Sequence, residues 1–116
     1  MSANRFNVDA AGSFRQDAKP LLKKYASLKA ELYQLNELLA ENPRTGVSLG
    51  QNCYKIRLKI ASKGKGRSGG ARVITCVVAV AETVFLLSIY DKADRESISE
   101  KRLNELLQLL PPAARR

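Results

Sequence analysis

Residues 54–75 read YKIRLKIASKGKGRSGGARVIT, and the parsing of this stretch decides the fold. Tyr54, Ile56, Leu58 and Ile60 alternate with Lys55, Arg57 and Lys59. A period of two sets the apolar residues on one face of a strand and the three cations on the other. Residues 71–80, ARVITCVVAV, are rich in β-branched side chains, the composition of a more deeply buried strand. Between the two strands, Gly64, Gly66 and Gly69 spell G-x-G-x-x-G. That string cradles a phosphate when a strand precedes it and a helix N-terminus follows. Here a strand follows, and no βαβ unit surrounds it, so the dinucleotide reading fails on context. A kinase glycine-rich loop does join two strands, but a chain of 116 residues without HRD or DFG is no kinase. The stretch is a β-hairpin. Its long loop, residues 62–71, holds four of the chain's seven glycines and the cations Lys63, Lys65 and Arg67.

Outward from the hairpin, the texture is helical on one side and mixed on the other. RFNVD (residues 5–9) reads as a short first strand. Phe14, Ala18, Leu21, Leu22 and Tyr25 then share one helical face, with Ser13 as a cap and Pro20 as an interruption. Ser27 opens a second helix with Leu28, Leu32, Leu35, Leu38 and Leu39 on its stripe, and ENPRTG (41–46) stops it. After the hairpin, TVFLLSIY (83–90) is a further strand, reached by a tight turn at Ala81 and Glu82. The last helix covers SISEKRLNELLQLL (97–110), where Ser97 and Glu100 match the S-x-x-E capping box and Pro111 and Pro112 end it. The expected class is α+β: a helical hairpin packed on a small antiparallel sheet, in the order β-α-α-β-β-β-α. Length gives one domain over residues 1–116, with 1–4 and 112–116 as disordered ends.

Composition removes several function classes. No apolar run nears the ~20 residues of a membrane span; the longest, VITCVVAVA (73–81), stops at Glu82. The N-terminus has no apolar signal region, so the expected location is the cytoplasm, without membrane contact. Two cysteines, Cys53 and Cys76, without any histidine cannot complete a tetrahedral zinc site, and they read as buried free thiols. No metal and no cofactor are expected. The lack of histidine also removes the usual acid/base group, leaving lysine, arginine, tyrosine or carboxylate for any proton transfer.

The net charge of +9 is unevenly placed. Residues 42–81 hold no Asp or Glu and eight cations: Arg44, Lys55, Arg57, Lys59, Lys63, Lys65, Arg67 and Arg72. The excess therefore sits in one continuous segment, the footprint of a polyanion-binding surface. Lys55, Arg57 and Lys59 emerge from one strand face, with Arg72 at the start of the next strand. A lysine crowded by like charge can serve as a general base. Arginine gives planar donors suited to a phosphate gaining charge. Such a set supports attack of an RNA 2′-hydroxyl on its own phosphate; a purely binding face would carry the same residues.

The series YKIRL, SGGARVI and IYDK, with the helical segment before it, resembles the RelE/ParE superfamily of toxins from bacterial toxin–antitoxin systems, over about residues 5–110. The resemblance implies a fold similar to microbial ribonucleases and, for the RelE-like branch, entry into the ribosome and metal-independent cleavage of mRNA. It implies catalytic roles for Lys55, Arg57, Lys59, Arg72 and Lys92: a lysine as base or charge stabiliser, Arg57 and Arg72 on the phosphate, Lys92 near the leaving oxygen. Lys63, Lys65, Arg67 and Tyr90 are the expected RNA contacts. Many RelE-like nucleases carry a tyrosine or histidine shortly after the last basic position, where this chain has ADRESIS (93–99). The ParE-like branch, which inhibits DNA gyrase without cutting RNA, is the alternative, together with a catalytically weakened RNA-binding relative. The implied partners are the ribosome, mRNA and a small, partly disordered antitoxin laid over the cationic face.

Overall fold

The computed structural model describes residues 5–63, 69–95 and 97–111. In chain order the elements are β1 (Asn7–Ala10), α1 (Gly12–Lys24), α2 (Leu28–Glu41), β2 (Val47–Gly50), β3 (Cys53–Leu58), β4 (Ala71–Val78), β5 (Thr83–Asp91) and α3 (Glu100–Gln108). The α+β class and the order of elements agree with the expectation, apart from one added strand. The added strand is β2, four mostly exposed residues at the sheet edge, paired antiparallel with β3. The sheet order is β1-β5-β4-β3-β2. All pairs are antiparallel except β1 with β5, which is parallel. Among the described residues, no helix is long and apolar enough to cross a membrane.

The sheet separates two apolar layers. On one face, Phe14, Ala18, Leu28, Leu35 and Leu39 of the helical hairpin pack on Ile56, Leu58, Val73, Val77, Val84, Leu86 and Ile89. On the other, Leu103 and Leu106 of α3, with Leu110 just beyond it, pack on Cys53, Ile74, Cys76, Val78, Leu87 and Tyr90. β4 is buried at every position because both layers cover it.

Several expected caps differ. Pro20 lies within α1. Ser13 does not cap that helix: the N-cap is Ala11, and the Ser13 hydroxyl donates to the Leu87 carbonyl at 2.7 Å. The register there passes from Ile74 opposite Ser88 to Thr75 opposite Leu86, so Leu87 is a β-bulge residue. Asp17 of α1 accepts from the Ser88 hydroxyl at 2.7 Å and the Ile89 amide at 3.4 Å. The first helix thus supplies partners to backbone groups at the bulge. Ser27 sits at the N-cap of α2 without bonding its amides; its hydroxyl instead meets Glu31 and Ser62. The α3 cap is Ser99, whose hydroxyl accepts from the Arg102 amide at 3.0 Å; the Ser97–Glu100 capping box is not the cap used.

Candidate nucleic-acid interface

β3 alternates as its period of two requires. Ile56 and Leu58 are buried against the helical hairpin, while Lys55 is half-buried and Arg57 exposed on the opposite face. Lys59, just past the strand, is exposed. None of these three cations forms an ion pair with a described residue. They share the α3 face, but α3 packs over Cys53, Ile74 and Cys76 and does not extend its apolar cluster to them.

Register then builds a row across three strands. Arg57 stands opposite Arg72, and Arg72 opposite Tyr90. One step along, Lys55 faces Ile74, which faces Ser88. The expected juxtaposition of Lys55, Arg57 and Arg72 is therefore met by geometry. Arg72, however, is only 4% exposed, and its Nη1 donates to the carbonyls of Gly69 and Ala71. It braces the end of the glycine loop.

Two glycines shape this corner. Gly70 has φ +49°, and a Cβ there would run into the Leu58 carbonyl. Gly69 has φ +92°, and a Cβ would sit 2.7 Å from Lys92 Cδ. The Lys92 amide donates to the Gly70 carbonyl at 3.0 Å. The positive-φ glycines thus allow β3, the start of β4 and Lys92 to converge, which a side chain would prevent. Lys92 joins the corner of Arg72.

Two expected RNA contacts lie elsewhere. Lys63 is not on an exposed rim. Its Nζ lies 2.6 Å from Asp91 Oδ1 and 3.1 Å from the Gly70 carbonyl, with the side chain 10% exposed. The Tyr25 hydroxyl donates to Asp91 Oδ2 at 2.7 Å, and the Ala93 amide to Oδ1 at 2.9 Å. Burial alone would raise the Asp91 pKa, but the bonds from Lys63, Tyr25 and Ala93 outweigh it and lower it to about 2. Lys63 is spent on a structural ion pair. Tyr90 is buried in the α3 layer, so its ring is not an open stacking surface. Lys65 and Arg67 fall outside the described residues.

One cation was missed. The Arg95 guanidinium lies over the Tyr90 ring, 5.4 Å from its centre, and so stands next to the Arg57–Arg72–Tyr90 row. The only signal for it was a second basic residue three positions after Lys92.

No protein-family model matches the sequence. Among solved structures, the chain is similar to an E. coli toxin RelE variant, with two arginines replaced by alanine, in the free state. The TM-score is 0.60, at 20% identity over 92% of this chain and 99% of that one. The E. coli RelBE toxin–antitoxin complex gives a TM-score of 0.57 at 22% identity, over 74% and 95% of the two chains. The same double variant of RelE in complex with a peptide of the antitoxin RelB gives 0.56 at 22% identity, over 87% and 93%. The helical hairpin, the five-stranded sheet and the helix on its far face together make this chain a RelE-like fold.

Proposed function

We propose that the protein is the toxin of a toxin–antitoxin pair and inhibits translation by cutting mRNA on the ribosome. The observation that carries this reading is the placement of Arg57 opposite Arg72 across β3 and β4, with Lys55 and Lys59 on the same face and Arg57 and Lys59 exposed there. The exposed guanidinium of Arg57 approaches the scissile phosphate first. Arg72, nearly closed to water, fixes the loop end and supplies positive charge behind Arg57 as charge builds on the phosphoryl oxygens. Lys55, the most sheltered of the three strand cations, takes the 2′-hydroxyl proton or stabilises the charge it leaves. Lys92 and Arg95 stand at the end of β5, where the leaving oxygen would need a proton or a counter-charge. The partner that silences this face is a small antitoxin with a segment that folds on binding.

The deciding experiment is induced expression of wild type and Arg57→Ala, followed by mapping of mRNA 5′ ends. The expected result is growth arrest with new ends inside coding regions for wild type, and neither for the variant. Arrest with intact mRNA, accompanied by inhibition of DNA supercoiling, would replace this reading with the gyrase-directed one.

A further inference from the structure

Cys53 and Cys76 lie outside the cationic site. They are register partners at the other end of the β3–β4 ladder, four residues from Arg57 and Arg72 respectively. The Val77 amide donates to the Asn52 carbonyl at 2.8 Å. Asn52 and Val77 are therefore in the hydrogen-bonded phase of the antiparallel ladder, and Cys53 and Cys76 form a non-hydrogen-bonded pair. Pairs of that kind hold their Cα atoms about 4.5 Å apart with the side chains drawn together. A disulfide spans Cα separations of roughly 4.4–6.8 Å, so a bond between the two sulfurs fits a pair of this kind.

Access is unequal. Cys53 is fully buried, whereas Cys76 is 5% exposed and lines a groove of about 520 Å³ with Gln51, Asn52, Val80 and Leu107. A small polar oxidant can enter a groove of that size and meets Cys76 first. The thiols are also chemically distinct. The Cys53 thiol donates to the Gln51 carbonyl at 3.5 Å, and the neighbouring Cys76 sulfur, together with burial, pushes the Cys53 pKa up. Cys76, the thiol that the groove reaches, is thus the nucleophile and Cys53 the resolving thiol.

We propose that Cys53 and Cys76 form a modification site, a cross-strand dithiol that a hydroperoxide oxidises to a reversible disulfide. The Cys76 thiolate attacks one peroxide oxygen, and the O–O bond breaks. With hydrogen peroxide, the departing hydroxide takes a proton and leaves as water. Cys76 is then a sulfenic acid. The Cys53 sulfur attacks the Cys76 sulfur, the S–O bond breaks, and the Cys53 proton leaves with that oxygen as a second water. Two thiols lose two electrons in all, and one peroxide gains them. The bond joins the two strands that carry Arg57 and Arg72.

The test treats the purified full chain with hydrogen peroxide, alkylates the remaining thiols and measures the intact mass. The expected wild-type product lacks two hydrogens, takes up no alkylating group, stays monomeric and returns to two free thiols with dithiothreitol. Cys53→Ser removes the resolving thiol and is expected to yield a dimedone adduct on Cys76. Wild type that still alkylates at both cysteines after peroxide overturns the proposal. So does a product found only as linked dimers or as a sulfinic acid.

Discussion

Lys63 and Asp91, separated by 28 residues, meet at 2.6 Å beneath the ring and hydroxyl of Tyr25. The pair ties the end of the β3 arm to the end of β5, and both side chains are nearly closed to water. Removing one member of a buried pair leaves an uncompensated charge, which costs about 3 kcal/mol or more. Lys63→Ala is expected to lose roughly that in urea unfolding, and Lys63→Met combined with Asp91→Asn to regain most of it. Equal losses in the single and double variants would show that the pair is not the cause.

Asp91 also sets a pH dependence. Its folded pKa of about 2 lies below the ordinary 3.8, so the unfolded chain binds the proton more readily. The stabilisation is complete above pH 4 and disappears as pH falls toward 2, a change of about 2 kcal/mol. In Asp91→Asn this step should vanish from the pH profile of unfolding free energy. A variant with the same acid slope as wild type would assign the step to another carboxylate.

Gly69 and Gly70 should respond differently to alanine. Both substitutions incur the strain of positive φ, roughly 1–2 kcal/mol each. At Gly70 the new Cβ meets the Leu58 backbone, which cannot yield; at Gly69 it meets the flexible stem of Lys92. Gly70→Ala is expected to unfold at clearly lower denaturant. Gly69→Ala should retain more stability while displacing Lys92 and lowering activity. Comparable midpoints for the two variants would contradict this.

Ser99→Ala should cost about 1 kcal/mol by removing the bond to the Arg102 amide, whereas Ser97→Ala should cost almost nothing. The comparison is read in thermal or urea midpoints, and a reversed order would restore the capping box at Ser97.

Arg57 is exposed and unpaired among the described residues, so Arg57→Ala should change stability by less than about 0.5 kcal/mol. If it contacts one RNA phosphate, the salt dependence of RNA binding should fall by about one unit of slope in log–log form. An unchanged slope would place Arg57 off the RNA path.

Much of this architecture was legible one residue at a time. The alternation from Tyr54 to Ile60 gave the strand, its two faces and its cationic row, because a period of two survives in any context. The β-branched run from Val73 to Thr75, standing where a nucleotide cradle needs a helix, was enough to rule that cradle out. β2 was invisible: four residues, mostly exposed and ending in a glycine at an irregular edge, leave no periodic trace. The fate of Lys63 was hidden for a different reason. Charge spacing along the chain cannot reveal a carboxylate that only folding brings near, so a cation in a glycine-rich loop looked like a ligand contact. Ser13 and Ser97 had the right residue type for caps, but Ser13 bonds the Leu87 carbonyl in β5, and Ser99, not Ser97, caps α3.

The bulge at Leu87 has a consequence for the whole row. Phe85 and Leu87 belong to the α3 layer, and Val84 and Leu86 to the hairpin layer. Unbroken alternation would send Tyr90 to the hairpin side and Ile89 to the α3 side. The extra residue reverses the parity of β5 midway, so Ile89 joins the hairpin core while Tyr90 turns to the face of Arg57 and Arg72. One strand thereby follows two phases: its first half is in step with the core, and its second half is in step with the cationic face. Ser13 and Asp17, by bonding the backbone around that single residue, act as the clutch that holds the change of phase in place.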